Sequence, residues 1–291
     1  MKKILIVIPV FNDWDSLSKL LTETNNFMKD INNIDFGCLI INDASTIKSP
    51  KIVKPSNYSF LKIINMRKNR GAARCIAFGI KHLSSEKKDF DHLILMDGDG
   101  EDRPEEIKSL VKKALNDESI SVVAKRIKRS EGTLFQVLYQ MHKLLTFIFT
   151  GKNINFGNYS CITKKDANYL ATKGSLWSSY SGSVKFHIKK LNNIDSIRGN
   201  RYAGDSKMTL LKLILHSFSI IAVFKRNVFI RSAIFIFLIS IFFKDINSIS
   251  IFFSMLLVTF NLVIFIVSKR ENEQELKDSY KNIENINNIT H

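Results

Sequence analysis

Near its C-terminal end the chain has 21 consecutive residues without a charge, residues 248–268, and most of them are apolar. A helix of that length spans about 31 Å, enough to cross the hydrocarbon core of a bilayer. A second apolar run, residues 228–243, holds Arg231 near its start and spans about 24 Å as a helix. Four residues join the two runs. We therefore predict a two-helix transmembrane hairpin over 227–268, with a buried hydrophobic hairpin of a soluble protein as the alternative.

The charges that flank this hairpin predict its orientation. Basic pairs precede and follow it at residues 225–226 and 269–270, whereas the charges of Lys244 and Asp245 in the connecting loop cancel. Because positively charged flanks stay in the cytoplasm, both ends of the hairpin are predicted to be cytoplasmic. The expected location is the cell membrane, with two spans and the preceding domain in the cytoplasm.

Two segments border the hairpin. Residues 208–226 are apolar apart from Lys212, His216 and the terminal Lys-Arg pair, a pattern that predicts an amphipathic helix along the membrane surface. Residues 269–291 are rich in Asn, Glu and Lys, and we predict that they form a disordered cytoplasmic tail.

Residues 1–207 are predicted to form one α/β domain. Short apolar runs alternate with amphipathic helical patterns, which is typical of a mostly parallel, Rossmann-like sheet covered on both faces. The strands are expected at 4–9, 36–41, 61–66, 92–96 and 120–124, and the helices near 15–29, 71–83 and 104–116. In such sheets ligands bind beyond the carboxyl ends of the strands, so the residues that follow each strand are the first candidates for function.

The fourth predicted strand runs into the sequence Asp97-Gly98-Asp99-Gly100-Glu101-Asp102. Its four carboxylates repel one another unless a cation neutralises them, and hard divalent ions such as Mg²⁺ or Mn²⁺ take oxygen ligands. Asp97 and Asp99 point the same way if the backbone is extended, and the glycines let the backbone turn closely around a ligand. We predict a metal and phosphate site here. The alternative is a solvated acidic turn in which Asp102 caps the helix that starts near residue 104.

The ends of the first three strands carry further polar residues. Pro9-Val10-Phe11-Asn12-Asp13 follows the first strand and Asn42-Asp43 the second, where carboxylates can bind ribose hydroxyls or a base edge. Together with the carboxylate cluster, these residues predict a nucleotide site. The third strand leads to Asn69-Arg70-Gly71-Ala72-Ala73-Arg74, which has neither the P-loop lysine nor a GxGxxG pattern. Kinase and dinucleotide-dehydrogenase functions are therefore disfavoured.

The formal net charge of +16 is concentrated in residues 104–226, which hold 21 basic and 8 acidic side chains. A basic surface of this kind suits phosphate, anionic lipid or nucleic acid. Nucleic acid is disfavoured because no basic-aromatic module accompanies the charge. Basic residues cluster at 125–129, where they also suit anionic lipid headgroups, and again at 198–207, where a solvated basic loop is the alternative to phosphate binding.

The strand-end motifs, taken in order, resemble those of the family 2 glycosyltransferases, which have the GT-A fold. They read Pro-x-Phe-Asn-Asp, Asn-Asp-Ala-Ser-Thr, Asn-x-Gly-x-x-Arg and Asp-Gly-Asp-Gly-Glu-Asp-x-Pro-Glu. The hairpin, and an Arg-x-x-Gly-x-Ser-Lys segment at 201–207, make the chain similar to the branch of dolichyl-phosphate mannose synthase and bacterial polyprenyl-phosphate glucosyltransferases. The resemblance covers about residues 1–210. It implies a metal-dependent, inverting transfer of a sugar from a nucleotide-sugar to a lipid-linked acceptor in cell-envelope glycan synthesis.

The same resemblance implies roles for individual residues. Metal binding, by Mg²⁺ or Mn²⁺, falls to Asp97, Asp99 and Glu101, the last at a position where relatives often carry Gln. Catalytic roles fall to Asp99, Asp102 and Arg201. The nucleotide-sugar ligands are Pro9, Phe11, Asp13, Asp43, Asn69, Arg74, Asp97 and Gly98. The acceptor and phosphate ligands are Arg126, Arg129, Arg201, Ser206 and Lys207. A homo-oligomer stays open.

One segment departs from the family's pattern. Residues 156–160 read Phe-Gly-Asn-Tyr-Ser where the polyprenyl-phosphate enzymes have Gly-Asp-Phe-Arg, and they resemble a membrane-anchored subgroup associated with cell-wall or surface-polysaccharide assembly. Asn158 cannot be the general base that an acceptor hydroxyl needs, whereas an acceptor phosphate is already anionic. A polyprenyl phosphate is therefore the first candidate acceptor. A hydroxyl of a lipid-linked or surface polysaccharide is the second, with Asp102, Glu131 or Asp166 as candidate bases. A catalytically silent, membrane-anchored nucleotide-sugar binder is the alternative from a different class.

Overall fold

A computed structural model describes residues 1–86, 89–128, 133–204, 209–243 and 248–290 of the 291-residue chain. These residues contain an eight-stranded sheet with strand order β7-β5-β6-β4-β1-β2-β3-β8. Six strands run in one direction, and β6 and β8 run antiparallel to their neighbours. The prediction of an α/β domain with a mostly parallel sheet is confirmed. The strands are β1 (Lys2–Val10), β2 (Ile34–Asn42), β3 (Tyr58–Met66), β4 (His92–Leu95), β5 (Val122–Lys128), β6 (Phe156–Thr163), β7 (Asn192–Ile197) and β8 (Ile283–Ile289).

Helices cover both faces of this sheet and extend beyond it at the C-terminal side. They are α1 (Trp14–Met28), α2 (Ala72–Ser85), α3 (Ile107–Asn116), α4 (Thr133–Thr150), α5 (Lys164–Leu170), α6 (Ser175–Ser178), α7 (Tyr180–His187), α8 (Leu210–Ala222), α9 (Lys225–Phe242), α10 (Ser248–Ser268) and α11 (Glu273–Lys277), with 3₁₀ turns at Pro104–Glu106 and Asp278–Asn282.

Strand β1 illustrates why the sheet is buried on both faces. Its side chains alternate between two apolar clusters: Ile4 and Ile6 pack in the cluster of α1 and α3, whereas Leu5 and Val7 pack in that of α2 and α5–α7. A strand with apolar side chains on both faces needs a helical layer on each side. This burial fixes the strand in the middle of the sheet, with its carboxyl end at the edge that carries the candidate site.

A third apolar cluster joins α4, α8, α9 and α10 through residues such as Phe149, Ile221, Val228 and Ile264. Among the described residues, one helical segment, which begins at Ser248, is long and apolar enough to cross a membrane. Only 11% of its most apolar window is buried in the protein. This low burial differs from that of a core helix, which would be covered by other parts of the chain.

The predicted second span is not confirmed. Helix α9 begins at Lys225, so that its 18 residues include Lys225, Arg226 and Arg231. The predicted loop 244–247 lies outside the described residues. The predicted surface helix at 208–226 corresponds to the shorter α8.

The prediction of a disordered tail after residue 268 was wrong. Strand β8 pairs antiparallel with the outer edge of β3, and the Nδ2 of Asn65 donates a hydrogen bond of 2.6 Å to the Oδ1 of Asn285. Arg67 donates its backbone N–H to the carbonyl of Asn282 and its Nε to the carbonyl of Ile283. An Asn-rich segment can therefore form an edge strand here because β3 supplies its hydrogen-bond partners.

Candidate functional site

The carboxylate loop, defined as residues 97–102, lies beyond the carboxyl end of β4. Asp102 stabilises it from inside: its Oδ2 accepts the backbone N–H of Asp97 at 2.9 Å, and only 4% of the residue is exposed. Burial, and next the charge of Asp97, raise the pKa of Asp102 to about 7. The expectation that Asp102 caps the following helix was wrong, because Arg103 occupies the N-terminal cap of the 3₁₀ turn.

Two glycines let other parts of the chain approach this loop. A Cβ at position 98 would lie 2.9 Å from the carbonyl oxygen of Pro9, so Gly98 allows the ends of β1 and β4 to meet. Gly100 has φ +89°, and a Cβ there would lie 2.6 Å from the ring of Tyr202. Positive φ and close contact both favour glycine at this position.

The carboxylates of the loop differ in their partners. Asp97 accepts a hydrogen bond from the Nδ2 of Asn158 at 2.9 Å, whereas Glu101 pairs with Arg198. Burial, and next the charge of Asp97, raise the pKa of Asp99. Asn158 therefore acts on the carboxylate loop itself, although its sequence position had indicated only a missing base.

Arg201 joins two strand ends. Its Nη1 lies 2.6 Å from the Oδ2 of Asp99, and its Nη2 lies 2.8 Å from the Oδ1 of Asp13. The side chains of all three residues are less than one-fifth exposed. The sequence had predicted that Arg201 binds the acceptor phosphate, whereas here it neutralises two carboxylates of the predicted donor site.

Arg201 belongs to a segment, residues 198–202, that lies along the carboxylate loop. Gly199 donates its backbone N–H to the carbonyl of Glu101, and Tyr202 donates its own to the carbonyl of Asp99, each at 2.9 Å. Arg198 and Tyr202 were not among the predicted site residues. The spacing of basic residues there could have identified Arg198, but the partner of an arginine about a hundred positions away is set only by the tertiary fold.

Asp43 organises the predicted nucleoside side. Its two carboxylate oxygens accept the backbone N–H groups of Arg70 and Gly71 at 2.8 and 2.7 Å. Burial raises the pKa of Asp43, and these two bonds act in the opposite direction. Asn12 links this strand end to the first one, because its backbone N–H donates to the Oγ of Ser45. Of the other predicted donor ligands, Phe11 is half-buried and Asn69 is exposed.

Arg126 reaches the carboxylate loop from β5. Its Nη2 lies 3.9 Å from the Oδ1 of Asp102, and its guanidinium covers Gly157, where a side chain would collide with it. His216 of α8 also lies in this region: burial, and next the charge of Arg126, lower its pKa, Arg198 acts in the same direction, and Asp97 raises it. In the sequence His216 is only an interruption of an apolar run.

The remaining predicted residues lie elsewhere or outside the described part of the chain. Asp166 lies in the first turn of α5 and accepts a hydrogen bond from Ser121. Ser121 immediately precedes β5, at the opposite edge of the sheet from the carboxylate loop. Arg129, Glu131, Ser206 and Lys207 lie outside the described residues.

The carboxylate loop suits a divalent cation through Asp97 and Asp99. The charge of Asp97 raises the pKa of Asp99. A bound cation would remove this repulsion, and carboxylate oxygens are ligands that Mg²⁺ and Mn²⁺ prefer. The predicted triad with Glu101 is not formed: within the described ranges, no group of three or more His, Cys, Asp or Glu side chains could hold a metal ion.

Comparison with known proteins gives a consistent result. The model of the family described as glycosyl transferase family 2 matches residues 5–173. The undecaprenyl-phosphate 4-deoxy-4-formamido-L-arabinose transferases of Photorhabdus laumondii and Salmonella choleraesuis are 26% and 29% identical over 226 and 224 residues. Each alignment covers 74% of this chain but 65% of the relative, so less than two thirds of those proteins is matched.

The fold also occurs among solved structures. Glucosyl-3-phosphoglycerate synthase of Mycobacterium tuberculosis, crystallised with Mn²⁺, UDP-glucose and phosphoglyceric acid, superposes with a TM-score of 0.56. The sequences are 13% identical, and the match covers 78% of this chain and 80% of that one. At this identity the comparison establishes a common fold.

Proposed function

The chain belongs to glycosyl transferase family 2, and we propose that it transfers a sugar from a nucleotide-sugar to a lipid-linked acceptor at the membrane, with a polyprenyl phosphate as the first candidate acceptor. The observation that carries this proposal is the convergence of Asp13, Asp43, Asp97 and Asp99 at one edge of the sheet. The sugar transfer to undecaprenyl phosphate named for the relatives supports the choice of acceptor.

In the proposed complex, the nucleoside lies against the ends of β1 and β2, where Asp13 and Asp43 offer acceptors for hydroxyl or base N–H groups. Asp97 and Asp99 would hold the divalent cation, Mg²⁺ or Mn²⁺, which neutralises the diphosphate leaving group when it is bound. Asp102 holds the loop in shape through the N–H of Asp97. Arg201 pairs with Asp99 through Nη1 and with Asp13 through Nη2. With a cation on Asp99, its Nη1 would be available to donate to phosphate oxygens.

The surroundings of the loop favour a phosphate over a hydroxyl as the attacking group. Asn158 donates to Asp97 and cannot accept a proton from a hydroxyl. A phosphate needs no base, and Arg126 beside Asp102 supplies a cation near the loop. Asp102, with its pKa raised to about 7, is the candidate base for the second reaction, transfer to a hydroxyl of a lipid-linked sugar.

Chain topology supports a two-span membrane anchor. Residues 198–202 are bonded to the carboxylate loop, and β8 after the last helix is bonded to β3, so the chain leaves and re-enters the same domain. A chain that returns to its starting side crosses a bilayer an even number of times. If α10 spans, α9 is therefore its partner, with the basic residues 225–226 and 269–270 on the cytoplasmic side.

Purified protein in nanodiscs tests this proposal directly. Labelled UDP-, GDP- and dTDP-sugars are offered with polyprenyl phosphate or with a lipid-linked sugar, and product is measured by partition into organic solvent. We expect transfer to polyprenyl phosphate, abolished by Asp97→Asn and retained by Asp89→Asn, which removes an exposed carboxylate paired with Lys3. Nucleotide binding without turnover on any acceptor would instead identify a silent nucleotide-sugar binder.

A further inference from the structure

Two arginines at the start of α2, Arg70 and Arg74, lie near Glu275, and a third arginine acts on Arg74 through its charge. The Nη1 of Arg70 lies 3.7 Å from the Oε2 of Glu275. The guanidinium of Arg74 lies 5.4 Å from the centre of the Trp177 ring, and the Nε1 of Trp177 donates to the same glutamate oxygen at 2.7 Å. The third arginine is Arg270, five residues before that glutamate.

The guanidinium of Arg74 lies among charges of both signs. Burial, and next the charge of Arg270, lower its pKa, and Arg70 acts in the same direction, whereas the carboxylates of Glu275 and Asp43 raise it. In the described part of the chain, the Nε of Arg74 and that of Arg270 are both buried and without a hydrogen-bond partner. A buried donor without an acceptor destabilises the protein, so such a pair is better satisfied by an anion.

The position of Arg270 connects the membrane helix to the donor site. It follows α10 by two residues, at the end that carries the basic flank. Its charge acts on Arg74 and also on His216, which lies within the influence of Asp97 and Arg126. Arg270 therefore lies close enough to Arg74 and His216 for its charge to act on both, at the end of α10.

We propose that Arg74 and Arg270, with Arg70 beside them, form a phosphate-binding site that takes the phosphate headgroup of the lipid acceptor. The inference rests on the proposed function and adds to it a second group of arginines beside Arg126. It moves Arg74, which the family resemblance assigns to the nucleotide-sugar, to the acceptor. A guanidinium pair offers paired N–H donors that match phosphate oxygens. An acceptor whose tail lies among the apolar helices presents its headgroup at the level where α10 ends. The donor diphosphate has the same chemistry, so the experiment has to separate the two sources.

The test uses the full-length protein and the variants Arg74→Gln, Arg270→Gln and Arg270→Lys. Arg226→Gln is the matched control, because Arg226 is an exposed arginine at the same end of the membrane helices. Each variant is reconstituted into phosphatidylcholine vesicles, and its binding of a fluorescent polyprenyl phosphate is measured against protein-free vesicles; UDP binding with Mn²⁺ is measured separately. Transfer is then measured as a function of lipid acceptor concentration at saturating donor.

We expect Arg74→Gln and Arg270→Gln each to weaken binding of polyprenyl phosphate by about tenfold. Each should raise the KM for the lipid acceptor by a similar factor. Arg270→Lys should retain part of the affinity, and Arg226→Gln and UDP binding should be unchanged. Because the two guanidiniums repel each other, the melting temperature of Arg270→Gln without ligand should be no lower than that of the wild type. Loss of an arginine with a purely structural role would lower the melting temperature.

Two results would overturn the proposal. Weaker UDP binding with an unchanged lipid KM would assign the arginines to the donor diphosphate, and variants that behave like Arg226→Gln in both assays would show that they hold no phosphate. If Arg270→Gln does not fold, Arg74→Gln and Arg270→Lys still give the vesicle comparison. The vesicle assay does not depend on turnover, so a wild-type protein that binds polyprenyl phosphate but transfers no sugar would count against the proposed function and not against this site.

Discussion

Replacement of Arg201 by glutamine separates a structural role of this residue from a role in competing with the metal. The substitution removes the two ion pairs at 2.6 and 2.8 Å and leaves Asp99 and Asp13 without their shared cation. A charge-assisted hydrogen bond contributes about 1.5–3 kcal/mol, and these side chains retain slight exposure, so we expect the free energy of unfolding to fall by about 2–4 kcal/mol. That corresponds to a lower melting temperature by roughly 5–10 °C.

The same variant should bind Mn²⁺ more tightly. In the wild type the ion has to displace a guanidinium from Asp99, whereas in Arg201→Gln this carboxylate is free and a neighbouring positive charge is gone. Removal of about 1.4 kcal/mol of competition corresponds to a tenfold gain in affinity, which titration calorimetry or the Mn²⁺ electron paramagnetic resonance signal can measure. Arg103→Gln is the control, because that arginine pairs with Glu105 outside the loop. Unchanged or weaker Mn²⁺ binding by Arg201→Gln would refute the reasoning.

Three further results are expected. Asp97→Asn removes the charge that raises the pKa of Asp99, so apo stability should be kept while Mn²⁺-dependent UDP binding, measured by calorimetry, falls by at least about tenfold. Burial lowers the pKa of His92, so protonation of His92 favours unfolding. The contribution of the neutral imidazole to stability is complete above pH 6.5, and below it the free energy of unfolding falls by up to about 1.4 kcal/mol per pH unit. His92→Phe should remove this loss in melting curves measured against pH. Deletion of 283–290 uncovers the edge of β3. The lost burial of Ile283 and Ile289 should lower the free energy of unfolding by about 2–3 kcal/mol, and the open strand edge should cause self-association, which light scattering detects.

The inner strands β1, β2 and β4 could be predicted because each is an almost continuous apolar run that is buried on both faces. Successive side chains of β1, such as Ile4 and Leu5, lie in opposite clusters, and the sequence carries that information locally. Strand β8 could not be predicted in the same way. Its residues are almost all exposed, and its stability comes from one neighbour more than two hundred positions earlier, including the contact between Asn285 and Asn65.

In the candidate site, too, some residues could be predicted from the local sequence and others depend on the tertiary fold. Asp43, Asp97 and Asp99 could be predicted because each directly follows a strand, and parallel strands bring such residues to one edge. The partner of each carboxylate could not, because Asn158 and Arg201 reach the loop from distant segments. The motif resemblance gave Arg201 a role toward phosphate, which remains a prediction, and gave no indication of its contact with Asp13.

These contacts also change how the basic region is understood. Arg126, Arg198 and Arg201 all come from the strongly basic residues 104–226, and each pairs with a carboxylate of the loop. Part of the positive excess is therefore used inside the protein, where it neutralises the carboxylates of the loop. A cation on Asp97 and Asp99 makes the pairing of Arg201 unnecessary at the moment when a diphosphate brings negative charge to the same place. Metal and nucleotide should for this reason bind with positive coupling, which is reciprocal by linkage. The ratio of the Mn²⁺ affinities with and without UDP, compared between the wild type and Arg201→Gln, measures how much of that coupling the arginine provides.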